Sequence, residues 1–310
     1  MTALDAHPDT RPGAMLVVGH GTRSEQGVGD FVSFIARLQK RAGVAYPAAA
    51  GGFIELSDPP VTDAVGELVA QGHHALVAVP LVLVAAGHGK GDIPAALLRE
   101  QVRHPGMTYS YGRPLGPHPT LLEIVEARID DALGGADRAG THVLLVGRGS
   151  TDPDANAEIA KVARLLWEGR GYADVEPAFI SLADPGVPAG LDKLRRLGAE
   201  RIVVAPYFLF PGVLPDRIVA QTEQFAAAHP DLPVAVAELI GDCDELADLV
   251  VERYHEAVRG DIRMNCDTCL YRTALPGHAD RVGAPQRPHH HPADDAHGHD
   301  HHDHDHGAHP

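Results

Sequence analysis

Short apolar runs alternate with longer segments of helical periodicity along most of the chain. "MLVVG" (15–19) precedes the helical pattern "GDFVSFIARLQKRAG" (29–43). "AAGGFIELSDPP" leads into "VTDAVGELVAQG", with Ser57 or Asp58 as the expected cap and proline at the first helical positions. "ALVAVPLVL" follows, then "GDIPAALLREQV", where Asp92 is the expected cap. Strand-like runs that are apolar throughout, separated by helices, predict an α/β fold: a parallel sheet covered by helices.

The second half repeats this pattern block by block. "AMLVVGHGTRSEQG" answers to "HVLLVGRGSTDPDA", and "GFIELSDPPVTDAVGELVAQG" to "AFISLADPGVPAGLDKLRRLG". "ALVAVPLVLVAAGHGKGDIP" answers to "RIVVAPYFLFPGVLPDRI", and "RPLGPHPTLLEIVEARIDDAL" to "ELIGDCDELADLVVERYHEAV". Four blocks in one order indicate internal duplication. The expected organisation is a flexible leader (1–14), two tandem similar domains (15–138 and 139–262), a C-x-x-C segment (263–280) and a disordered His/Asp-rich tail (281–310).

Composition narrows the function classes. A formal charge of −16 over 310 residues, with no basic block, argues against nucleic acid or an anionic membrane as partner. The longest apolar run is interrupted by Pro80 and is shorter than the ~20 residues a membrane span requires. Cys243, Cys266 and Cys269 are the only cysteines, no disulfide framework, and the polar N-terminus lacks a secretion pattern, so a cytoplasmic protein is expected.

The duplication also separates chemistry from scaffold. His20 corresponds to Arg148, Glu55 to Ser181, and the position near His88 to Val213. A fold that needed these groups for packing should need them twice. All three follow apolar strands, and in a parallel sheet the carboxyl ends of strands share one edge, where ligands bind. Two imidazoles and a carboxylate suit divalent cobalt, iron, nickel or zinc, and three donors leave coordination positions open.

With these residues in view, "VVGHGTR", "FIELSDPP", "PLVLVAAGHGKGDIP" and "PYFLFPGVLPDRI" resemble the sirohydrochlorin chelatases, class II enzymes that insert a divalent metal into a tetrapyrrole without ATP. The resemblance spans nearly the whole duplicated region. It implies two α/β domains with the tetrapyrrole in the cleft between them, and a reaction directed to cobalamin (Co²⁺) or, alternatively, sirohaem (Fe²⁺). His20 matches the metal-binding and proton-accepting histidine, His88 the second metal ligand, and Glu55 a cleft glutamate. Leu83, Val84, Ala85, Ala86, Gly87 and His88 match the loop on which the macrocycle lies. The chain resembles the long, fused form of a family whose short members pair as dimers, so a monomer with one active site is expected.

Several residues remain outside that core. Arg23, Lys90, Arg113, Arg148 and Arg217 are expected as a basic rim for the substrate carboxylates, and the glycines beside His20 and His88 as openings for a flat ring. His118 and its counterpart Cys243 stand at helix starts and are read as structural. Cys266 and Cys269 could form a redox pair, half a zinc site or half an iron-sulfur site; some long family members carry a cluster at a similar motif, which here would require a second chain or Cys243. The His-rich tail reads equally as a metal buffer or a solubilising extension. A non-catalytic nickel or cobalt store is the competing function. A histidine phosphatase would need arginine where Gly19 stands.

Overall fold

The computed structural model describes residues 12–260 and residue 280. Among the described residues, eight strands form two parallel four-stranded sheets and eight α-helices flank them. The first half runs β1 (Ala14–Gly19), α1 (Glu25–Gln39), β2 (Ala49–Phe53), α2 (Val61–Ala70), β3 (Ala75–Pro80), a π-helical turn (His88–Asp92), α3 (Ile93–Arg103), β4 (Thr108–Tyr111) and α4 (Pro119–Leu133). The second half runs β5 (Thr141–Gly147), α5 (Pro153–Trp167), β6 (Asp174–Phe179), α6 (Val187–Arg196), β7 (Arg201–Pro206), α7 (Val213–Ala228), β8 (Val234–Val236) and α8 (Asp244–Arg259). Strand orders are β2-β1-β3-β4 and β6-β5-β7-β8, the same topology twice, as the duplication predicts.

The central strands are buried on both faces, which is why they read as unbroken apolar runs. Along β1, Leu16 and Val18 face the core under α2 and α3, while Met15 and Val17 face a second core with Phe31, Phe34 and Leu38 of α1. That second core is continuous across both halves, because each half lends its last helix to the other. Helix α8 packs on β3 and β4 of the first sheet, and α4 packs on β7 and β8 of the second. Arg253, fully buried, donates to the Pro114 and Leu115 carbonyls, and the Tyr254 hydroxyl donates to the Gly13 carbonyl at 2.7 Å.

Local details differ from the sequence expectation. Helix α1 begins earlier than the apolar pattern suggests, because the Ser24 side chain accepts the Gly27 N–H and caps it. Neither Ser57 nor Asp58 caps α2; Pro60 holds that position with no side-chain cap, and Ser57 instead accepts the Thr22 N–H. Asp92 does not act as a cap either: its backbone is helical and its carboxylate is engaged with His88. The short edge strands β4 and β8 carry no pattern that announces them. No helix among the described residues is long and apolar enough to cross a membrane.

Candidate metal centre and cleft

In strand order β2-β1-β3-β4, the chain leaves β1 toward one edge and returns past it to β3, so a crevice opens beyond the carboxyl ends of β1 and β3. His20 is the first residue after β1, and the loop after β3 carries His88 to the same crevice. Glu55 arrives just beyond the end of β2. One nitrogen or oxygen of each lies within 4.8 Å of the others.

The contacts are closer than that limit. His20 Nε2 lies 2.8 Å from His88 Nε2 and 3.1 Å from Glu55 Oε1, with the two imidazole rings edge to face at 88°. Asp92 Oδ2 lies 2.6 Å from His88 Nδ1. A carboxylate only accepts, so His88 donates from Nδ1 to Asp92 and leaves its Nε2 lone pair in the crevice. Both ring nitrogens of His20 face acceptors, Nδ1 the Gly21 carbonyl at 3.2 Å and Nε2 the His88 lone pair and Glu55, and with the proton on Nδ1 the Nε2 lone pair also points into the crevice. Burial, with added repulsion from His88 and Arg148, holds the His20 pKa well below its ordinary value. The ring is therefore neutral and free to ligate across the physiological range.

The π-helical turn sets the orientation of His88. His88 and Asp92 are four residues apart, so one helical turn places carboxylate and imidazole together and fixes the ring. The turn is pinned in turn by Lys90, whose Nζ donates to Asp152 Oδ2 at 2.7 Å and Asp154 Oδ2 at 2.9 Å, across to the second half. Tyr111 donates its hydroxyl proton to the Gly89 carbonyl at 2.7 Å.

His20 and His88 open onto a cleft of about 630 Å³ between the halves; Glu55, expected as a cleft glutamate, is not among its lining residues. Leu83, Val84, Ala86, Gly87 and His88 line it from the first half; Ala85 does not. Phe208, Leu209 and Phe210 of the second half complete an apolar wall, with the buried Tyr207, whose hydroxyl has no hydrogen-bond partner among the described residues. Arg148, the counterpart of His20, also lines the cleft and lies near enough to His20 and Glu55 to act on both electrostatically.

Of the five expected rim cations, Arg23 and Arg148 reach the cleft. Lys90 is consumed by its carboxylate pair, and Arg113 is held bidentately by Glu256 at 2.8 and 2.6 Å. Arg217 is exposed on α7 and is not among the lining residues. The glycine beside His20 is also explained differently: Gly21 has φ +114°, and a Cβ there would collide with the Glu55 carbonyl oxygen, so the protein's own backbone requires it. His118 caps α4, accepting the Thr120 N–H at Nδ1, and Cys243 precedes α8 half-buried. Cys266, Cys269 and the His-rich tail lie outside the described residues.

Two matched α/β halves enclose a cleft, and in the first half alone three side chains beside it converge as a group that could hold a metal ion, which defines a two-domain cleft protein with a one-sided candidate metal centre. The chain belongs to the CbiX family, whose profile matches it twice, over residues 14–132 and 142–257. It is 36% identical over 269 residues to a sirohydrochlorin cobaltochelatase of Priestia megaterium, covering 86% of this chain and 87% of that one. It is 32% identical over 238 residues to a sirohydrochlorin ferrochelatase of the same organism, covering 76% and 87%. Among solved structures it resembles SirB from Bacillus subtilis with Fe³⁺ (TM-score 0.70, 28% identity, 80% of this chain and 96% of that one). It also resembles the sirohydrochlorin chelatase SirB from Bacillus subtilis subspecies spizizenii in complex with cobalt (TM-score 0.65, 27% identity, 80% and 95%).

Proposed function

We propose that this protein is a cytoplasmic, ATP-independent chelatase that inserts a divalent metal, cobalt foremost, into sirohydrochlorin for cobalamin synthesis. The observation that carries the reading is the convergence of His20, Glu55 and His88, with both imidazoles on the wall of an apolar cleft and Glu55 beside them, off its lining. Two neutral imidazoles and one carboxylate hold a divalent ion while leaving positions for incoming ring nitrogens. An apolar wall built by Leu83, Val84 and the Phe208–Phe210 segment suits the face of a macrocycle, while Arg23 and Arg148 offer charge to its carboxylates.

Insertion of M²⁺ releases two pyrrole protons, so charge balances as the ion leaves the protein for the ring. His20 is the base nearest the transfer, and its depressed pKa means that the ring relays a proton onward rather than retaining it. One chain supplies both walls of the cleft, so a monomer suffices. The Cys266–Cys269 pair has no part in the proposed reaction.

Iron is the alternative substrate, favoured by the similarity to a chelatase named for iron, and the same donor set accepts Co²⁺, Fe²⁺ and Ni²⁺. Absorption spectroscopy of sirohydrochlorin mixed with protein and Co²⁺ or Fe²⁺ tests both. His20→Ala and His88→Ala are each expected to lose at least ~100-fold in rate, in line with removal of a group that acts at the reacting centre. Wild-type insertion rates in both variants would exclude this site.

A further inference from the structure

Leu56 and Leu182 occupy equivalent positions in the two repeats, and each holds a backbone conformation that leucine avoids. Their φ angles are +67° and +61°. In each case the next N–H folds back on the preceding carbonyl, Ser57 to Glu55 at 2.9 Å and Ala183 to Ser181 at 2.8 Å. A three-residue turn of this hand is rare and strained, and glycine or asparagine enters it at lower cost. The core makes no use of the side chains, since Leu56 is 45% and Leu182 61% exposed. A residue that strains its backbone and leaves its apolar group in water answers to something outside the fold. Both leucines line the cleft, one from each half.

The scaffold braces both turns in the same way. Glu55 and Ser181 donate their N–H groups to the carbonyls of His20 and Arg148 at 3.1 and 3.0 Å. The backbones of Gly21 and Gly149 press against the turn carbonyls so closely that a Cβ at either position would collide. Each leucine is thus fixed relative to the end of its central strand. Immediately before it stands Glu55 in one half and Ser181 in the other: the duplication has kept the apolar residue twice and the metal-binding carboxylate once.

We propose that Leu56 and Leu182 are apolar jaws that grip the tetrapyrrole from the two walls of the cleft and set its position over His20, Glu55 and His88. This deepens the chelatase reading and rests on it. The macrocycle removes both side chains from water on binding, and the rigid turns keep the grip in register. Because Leu56 is bonded directly to Glu55, the backbone-braced turn that presents the leucine to the ring also carries Glu55, and a side chain that keeps the turn leaves Glu55 in place.

The test compares full-length wild type with Leu56→Asn/Leu182→Asn and Leu56→Ala/Leu182→Ala. Asparagine accepts positive φ, so the first double variant should melt at or above the wild-type temperature. Its affinity for metal-free sirohydrochlorin, read by absorption titration, should fall about tenfold or more, the scale of losing one or two buried leucine contacts. Co²⁺ alone, titrated calorimetrically, should bind as to wild type. Wild-type ring affinity in either double variant, or a lowered melting temperature in both, overturns the jaws, because the side chains would then serve the fold or nothing. If wild type binds Co²⁺ and no sirohydrochlorin, the chelatase reading falls and the jaws fall with it.

Discussion

His88 owes its orientation to Asp92, a buried carboxylate 2.6 Å from Nδ1. Replacing it by asparagine keeps the size but removes the charge that holds the Nδ1 proton. Asp92→Asn is expected to weaken Co²⁺ binding by ~10- to 100-fold, measured by calorimetry, without abolishing folding. A neutral His20 gives a second expectation. Its folded pKa lies below the unfolded value near 6.5, so the unfolded chain binds the proton more readily. Stability should then fall as pH drops below about 6.5, by at most ~1.4 kcal/mol per unit from this group, until the folded ring itself protonates. Urea melts from pH 7 to 5 should show a flatter profile for His20→Ala. The convergence of His20, Glu55 and His88 is legible in the sequence because each follows an apolar strand and each is missing from the second repeat. Asp92 was not: the helix pattern makes it look like a cap, and only the π-helical turn reveals that it sits one turn beyond His88 on the same face.

That turn belongs to a larger arrangement, since the five residues His88–Asp92 are fastened by Lys90 to the start of α5 in the second half. Burial works against the ammonium, but Asp152 and Asp154 outweigh it and raise its pKa above the ordinary value. All three groups are buried, with the Lys90 side chain 7% exposed. Removing the lysine takes away the buried ammonium that Asp152 and Asp154 share, so Lys90→Ala is expected to cost about 3–5 kcal/mol in guanidinium melts. Weaker Co²⁺ binding should accompany it, because the His88 turn loses its anchor. A variant as stable as wild type would show that the pair is solvated or bonded elsewhere. From sequence, Lys90 reads as a surface cation near a substrate loop, since its partners lie in the other repeat. The same limit applies to Ser57, which looks like a helix cap and in fact ties the β2 loop to Thr22 at the end of β1. Runs, periods and caps locate helices and central strands well, but a polar side chain's partner is set by tertiary approach.

Across the whole molecule, the repeat boundary and the packing boundary do not coincide. The first repeat ends with α4, which covers the second sheet, and the second ends with α8, which covers the first. Periodicity shows that these helices exist and which faces are apolar; it is silent on which sheet receives them. The exchange has a thermodynamic consequence. Residues 12–138 alone would leave Met15, Val17 and Phe34 without Tyr254 and Val250, and would leave Leu121 and Val125 of α4 without the second sheet. A half on its own can bury those surfaces only against another copy. Separately produced halves should therefore show either no cooperative melt or a melting temperature that rises with protein concentration, as expected when folding is coupled to association. Mixed together, they should form a one-to-one complex that binds Co²⁺ through His20, Glu55 and His88. A first half that melts cooperatively as a monomer, at a temperature independent of concentration, would mean that α4 folds back onto its own sheet, and the helix exchange would then be no requirement of the fold.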